Sequence, residues 1–283
     1  MTQRTRNLLL LAPAGTWFLV MLIIPLTVVL VFSFGERGAA GGYVPAFTFE
    51  QYANLPARWT AFKNTMILAP AGTLAALLIA YPLAYFLAVR ANPRWKTVLL
   101  VLVIVPFWTS ILIRSYAWIF LLGGRGIPAL LEWIGIEGVR LINTPFAVLV
   151  GIVYGYLPLM VFPIFVSLDR LDKRLLEASS DLGAPPLRTF LQVTLPLSLP
   201  GIATGCLLVF ILLMGEFLIP ALLGGGKVFF VGNALVDLFL QSRNWAFGSA
   251  VAATLVVIML VSVTIYMRLI GRLGAQREDV SLM

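Results

Sequence analysis

The chain has 283 residues, 60% of them hydrophobic and only 11% charged, and its mean hydropathy is +0.99. So few charges cannot clothe a water-soluble domain of this length, and apolar runs beyond about 18 residues recur along nearly the whole chain, as membrane helices require. The formal charge of +8 sits in short segments between those runs, which points to membrane orientation signals and away from nucleic acid. The lack of histidine and the single Cys206 exclude His-based catalysis, the common zinc sites and an intrachain disulfide.

Arg4 and Arg6 precede an apolar run from Leu8 to Phe34 that carries no charge. Ala12-Pro13-Ala14 has the small residues of a cleavage site, but the run is too long for a signal-peptide core, so a retained first span is expected. Further spans are expected near Thr65–Val89, Val98–Leu122, Phe146–Leu168, Leu199–Leu223 and Gly248–Ile270. At about 1.5 Å per residue each can cross a hydrocarbon layer of about 30 Å. Pro25, Pro82, Pro106, Pro158 and Pro163 fall inside spans, where neighbouring helices satisfy the freed carbonyls, so kinks are expected. Gly126–Gly135 and Asn233–Leu240 read as short interfacial helices, with Trp133 at headgroup depth. The hexapeptide Leu-Ala-Pro-Ala-Gly-Thr occurs at Leu11–Thr16 and Leu68–Thr73, a match too short in an Ala- and Leu-rich chain to establish a duplication.

Six spans put both termini on one side. That side carries Arg4, Arg6, Arg90, Arg94, Lys96, Arg170, Lys173, Arg174, Arg188, Arg268, Arg272 and Arg277. The other carries only Arg37, Arg58, Lys63, Arg125, Arg140, Lys227 and Arg243, spread over longer loops. The excess of basic residues therefore places both termini in the cytoplasm.

The longest cytoplasmic segment, residues 169–199, holds 8 of the 32 charged residues. Leu168, Leu171, Leu175, Ala178 and Leu182 recur at helical spacing, with Asp169, Asp172, Lys173 and Asp181 off that stripe. Ser167 or Asp169 is expected to cap the start and Gly183 to end the helix. Pro185 and Pro186 then open a second short helix through Leu187, Phe190 and Leu191, expected to end at Pro196. An amphipathic elbow of this kind suits a groove on a soluble partner.

Glu177-Ala178-Ser179, three residues, Gly183, nine residues, then Val193-Thr194-Leu195-Pro196 resembles the EAA signature of bacterial ATP-binding-cassette (ABC) importer permeases. In that family the pattern reads Glu-Ala-Ala, three residues, Gly, nine residues, Ile, one residue, Leu-Pro. Ser179 and Val193 are mild departures, and the segment lies between the fourth and fifth spans, where the family has it. The likeness extends over most of the chain toward the spermidine/putrescine permeases, the B-type subunit in particular. Similar stretches include Leu11–Gly15, Arg114–Ile119, Tyr156–Met160, Asp181–Ala184, Gly215–Gly225 and Trp245–Ala250.

The resemblance implies an all-α, type I ABC importer permease fold in one transmembrane domain over residues 1–283, set in a bacterial inner membrane. It implies as partners a second permease subunit, two cytoplasmic ATPase subunits and an extracytoplasmic substrate-binding protein. No cofactor is expected on this chain, since ATP and Mg belong to the ATPase subunits. Leu175, Glu177, Ala178, Ser179, Leu182 and Gly183 become the expected ATPase-coupling residues, and a polyamine the expected solute.

Two ionisable residues, Arg114 and Glu216, are expected within spans, where charge is costly and normally faces a bundle interior or a wet cavity. They line the translocation path, or else pair with each other or snorkel. Trp118, Tyr154, Tyr156 and Phe217 are candidate aromatic faces for an ammonium group. Gly224-Gly225-Gly226-Lys227 is no P-loop, because Val228 stands where Ser or Thr is needed and Ala221 where the first Gly is needed. Energy must then come from another chain or from an ion gradient. A secondary transporter or channel is the alternative, but it would favour an inverted repeat and several mid-membrane ionisable groups, which this sequence lacks.

Overall fold

The computed structural model describes residues 3–281; the side chains of Arg4, Arg6, Lys173, Arg272 and Arg277, counted above toward orientation, lie outside what it describes. A hydrocarbon layer offers no water to backbone N–H and C=O groups, and each long apolar run meets that demand by closing into helix. Thirteen α-helices are described, most of the shorter ones in the connections: α1 Gln3–Phe32, α2 Glu50–Ala53, α3 Trp59–Tyr85, α4 Pro93–Trp108, α5 Ile111–Leu122, α6 Ile127–Trp133 and α7 Pro145–Asp169, then α8 Lys173–Asp181, α9 Pro186–Thr189, α10 Leu195–Met214, α11 Leu218–Leu223, α12 Val231–Val236 and α13 Trp245–Ser281. Five stretches are long and apolar enough to cross a membrane, and a sixth arises if α4 and the helices after it count as one span bent by 91°.

The chain divides into two compact units. The first joins the stretch up to Trp59 with Ala234–Val261. Here a short antiparallel pair, β1 Glu36–Arg37 and β2 Tyr43–Val44, follows α1. Two segments far apart in sequence are tied by the Arg58–Asp237 ion pair at 2.7 Å and by Arg37 donating to the Ser242 carbonyl at 2.9 Å. Phe34, Phe47, Phe49 and Tyr52 form one aromatic cluster beside them.

The second unit, Thr60–Asn233 with Ser262 onward, is organised around the close packing of α7 on α10. Gly201 and Gly205 make the contact possible. A Cβ on Gly201 would fall 2.6 Å from the Pro163 carbonyl oxygen and 3.0 Å from the Ile164 Cα, and one on Gly205 would fall 2.9 Å from the Met160 sulfur. Small residues four apart let two backbones approach, so dispersion replaces the hydrophobic effect that lipid cannot provide.

Three sequence expectations need correction. The third span is not continuous from Val98 to Leu122: Thr109 and Ser110 are extended (ψ 150° and 132°) and separate α4 from α5. At the end of α4 the Thr109 N–H and hydroxyl both close onto the Pro106 carbonyl, at 3.3 and 2.7 Å, an i−3 turn that competes with continued α-helix. The fifth span ends at Met214, not Leu223, and begins as far back as Pro186. Pro196 therefore does not end a helix; it opens α10, just after a π-helical turn over Phe190–Thr194 where the hydrogen-bond spacing changes.

The α7–α10 contact yields a direct test. Gly201→Val forces a branched side chain against backbone and should lower thermal stability in detergent by at least about 1–3 kcal/mol. Gly271→Val, where a Cβ meets nothing within 4 Å, should change it little.

Candidate functional site

The cytoplasmic elbow is built by local rules. α7 runs through Asp169, and the cap of α8 is Asp172, whose carboxylate accepts from the Arg174 N–H at 3.0 Å; neither Ser167 nor Asp169 caps it, because the turn at Arg170 and Leu171 intervenes. At the other end Gly183 has φ +75°. Its N–H reaches the Ser180 carbonyl at 2.9 Å and the Ala184 N–H the Ser179 carbonyl at 3.1 Å. These two bonds close a Schellman turn, which needs the left-handed conformation that glycine adopts without strain. Pro186 then starts α9, its missing N–H falling where a helix needs none.

Ser179, the departure from Ala in the signature, has a structural explanation: its hydroxyl bonds that of Thr189 at 2.8 Å and pins α9 against α8. Leu175, Ala178 and Leu182 share one face of α8 and are all exposed, Leu182 to 88%. Glu177 is exposed as well. A side chain added at Gly183 would meet nothing within 4 Å. Beside the elbow a cavity of about 740 Å³ opens between α7 and α10, lined by Phe162, Arg170, Asp172, Leu175, Pro200 and Thr204 among others.

Of the expected path residues, Glu216 and Tyr156 come together. Glu216 is 6% exposed and stands in the gap between α10 and α11. One carboxylate oxygen accepts from the backbone N–H groups of Phe217, Leu218 and Ile219 at 2.9, 2.8 and 3.2 Å. The other accepts from the Tyr156 hydroxyl. A carboxylate here satisfies the orphan donors of α11 and sits at the positive end of its dipole. Asn233 completes the turn, donating to the Phe217 carbonyl at 2.6 Å and accepting from the Phe230 N–H at 3.0 Å. The sequence reading placed Asn233 only at the start of an interfacial helix; an asparagine there, a residue type that bonds backbone groups at helix starts, was the available signal.

Trp118 and Tyr154 form a second group, their rings edge-to-face at 5.6 Å. Phe217 is 44% exposed. Arg114 does not pair with Glu216: among the described residues no ion pair joins them. Its guanidinium lies 6.0 Å from the Phe107 ring centroid, and its Nε and Nη1 are buried without a hydrogen-bond partner.

The family profile described as "Binding-protein-dependent transport system inner membrane component" matches residues 80–276. The spermidine/putrescine transport system permease protein PotB of Haemophilus influenzae is 42% identical over 258 residues, covering 89% of this chain and 90% of that protein. PotB of Escherichia coli K12 is 38% identical over 257 residues (89% and 93%). The inner membrane ABC transporter permease protein YdcU of the same bacterium is 34% identical over 237 residues (78% and 73%). Among solved structures, a bacterial ABC transporter that imports alginate superposes with a TM-score of 0.73 at 19% identity, covering 95% of this chain and 96% of that one, and so shares its fold.

The capping role of Glu216 separates two substitutions. Glu216→Ala strands three N–H groups, that of Ile219 buried and those of Phe217 and Leu218 part-buried, and should cost about 1–3 kcal/mol of stability. Glu216→Gln keeps an acceptor oxygen and an amide that can meet the Tyr156 hydroxyl, so it should retain most of it. Thermal unfolding of both variants in detergent measures the difference.

Proposed function

The chain belongs to the family of binding-protein-dependent transport system inner membrane components, and from that premise we propose that it is the permease subunit of an ABC importer for spermidine, putrescine or a similar polyamine. The observation that carries the reading is the elbow at 172–194, which turns an apolar stripe outward: Leu182 is 88% exposed, and Leu175 and Ala178 are exposed as well. That stripe would insert between subdomains of an ATPase subunit, which holds ATP and Mg; this chain carries the motion into the membrane. A second permease subunit and an extracytoplasmic substrate-binding protein complete the assembly, and both termini face the cytoplasm. The polyamine assignment draws on the relatives named for spermidine and putrescine, at 37–42% identity over most of the chain.

Within the membrane, Glu216 is the buried carboxylate of the path, held by Tyr156 and the start of α11. Its charge attracts an ammonium group, and the Trp118–Tyr154 pair and Phe217 offer ring faces, each worth about 0.5–2 kcal/mol to a desolvated cation. Arg114 opposes cations wherever it stays unpaired.

Reconstituted with its partners, the chain should support ATP-dependent uptake of spermidine or putrescine; uptake confined to sugars or anions would remove the substrate assignment. Glu216→Gln should lower that uptake with the complex intact. Gly183→Asp tests coupling. Because the space around Gly183 is open within this chain, the local penalty is only the left-handed backbone, about 1 kcal/mol. The larger effect falls on docking. Insertion and abundance should stay near normal while ATP hydrolysis loses its link to transport or the ATPase dissociates. Wild-type transport with the ATPase bound would refute the role given to the elbow.

A further inference from the structure

Two helix ends and a carboxylate converge on one ammonium. α3 continues as a π-helical turn over Phe86–Arg90, where the final carbonyls run out of helical donors. Pro93, five residues beyond Ala88, brings no N–H to close the π-type ladder. Lys96, in the first turn of α4, reaches back and donates to the Ala88 carbonyl oxygen at 3.2 Å. The same Nζ binds the Asp169 carboxylate and lies 5.4 Å from the Phe165 ring centroid. Asp169 is the last residue of α7, the end at which the helix dipole disfavours an anion, so the cation answers both the carboxylate and the helix terminus. With side chains 25% and 42% exposed, such a pair adds little net stability. Its consequence is positional.

We propose that Lys96 is a positioning residue for coupling, fastening the cytoplasmic end of the bent third span to the root of the elbow. The inference rests on the reading of that elbow as the ATPase dock. Asp169 lies three residues before Asp172, the cap of α8, so displacement of the elbow reaches the end of α7 first. Through Lys96 it reaches α4 as well. Beyond the bend α4 leads to α5, which carries Arg114 and Trp118. Without the tether α7 still carries its packed partner α10, but the cytoplasmic end of the α4–α5 limb follows it less closely, and ATP is consumed with less change in the path.

The test uses the whole importer in proteoliposomes, with ATP hydrolysis and spermidine uptake measured on the same vesicles. Lys96→Met keeps the aliphatic stem beside Phe165 and removes both polar contacts; Lys96→Arg keeps a cation of sufficient reach. Lys96→Met should retain the ATPase and hydrolyse ATP near the wild-type rate, yet import about tenfold less solute per ATP. Lys96→Arg should stay within about twofold of wild type, Asp169→Asn should reproduce Lys96→Met, and the double variant should be no worse than either single one, as expected of partners in one contact. Wild-type solute per ATP in Lys96→Met, while Gly183→Asp still uncouples, would overturn the tether and leave the elbow reading standing. Wild-type behaviour of Asp169→Asn would also overturn it, because the contact to α7 would then be dispensable. If the unmodified complex binds no ATPase, both readings fall together.

Discussion

A break in a membrane helix exposes backbone donors that lipid cannot satisfy, and the way this chain answers that constraint shapes much of the rest. At Met214–Leu218 the answer is Glu216. Its carboxylate gathers three consecutive N–H groups and a tyrosine hydroxyl, while Asn233 returns from a later segment to hold the Phe217 carbonyl. Thr65 accepts from the Val231 N–H at 2.9 Å and Asn64 donates to the Phe229 carbonyl at 3.1 Å, so the non-helical stretch before α12 is anchored to α3 as well. Polar side chains thereby replace the missing turns of helix. The carboxylate that closes the backbone here is the one proposed above to meet the solute, so that proposal rests on a residue the fold also needs.

The elbow needs the opposite property: firm in itself and open on one face. Its firmness comes from the Asp172 cap, the Gly183 turn and the Ser179–Thr189 bond, none of which depends on a partner. Its outward stripe is exposed, most of all at Leu182. The elbow joins two spans, α7 and α10, brought close by Gly201 and Gly205. A closely packed pair transmits displacement where a loose one would absorb it.

The spans were legible because hydropathy over about 20 residues reports burial in lipid directly. The elbow was legible because the Gly183 stop and the Pro185-Pro186 turn each have a local chemical cause, although its start was misplaced: the cap is Asp172, not Ser167 or Asp169. The breaks were not. A hydropathy run registers composition and is blind to a ψ of 150° at Thr109, so α4 and α5 read as one helix. Glu216 was ambiguous for a related reason: an acidic residue in an apolar run looks the same whether it faces a pore, an arginine or the amides of a helix start. The Gly201–Gly205 spacing was readable as a packing motif and was passed over, since which helix it faces is a tertiary fact.

The central claim is that the exposed face of α8 is a docking face for an ATPase subunit. The most direct measurement is the structure of the purified assembly by electron cryomicroscopy. The account predicts Leu175, Ala178 and Leu182 buried in a cleft of the ATPase, with Leu182 losing nearly all of the 88% exposure it has in the isolated chain. An assembly in which the ATPase is bound and transport proceeds, but Leu182 remains open to solvent, would contradict it.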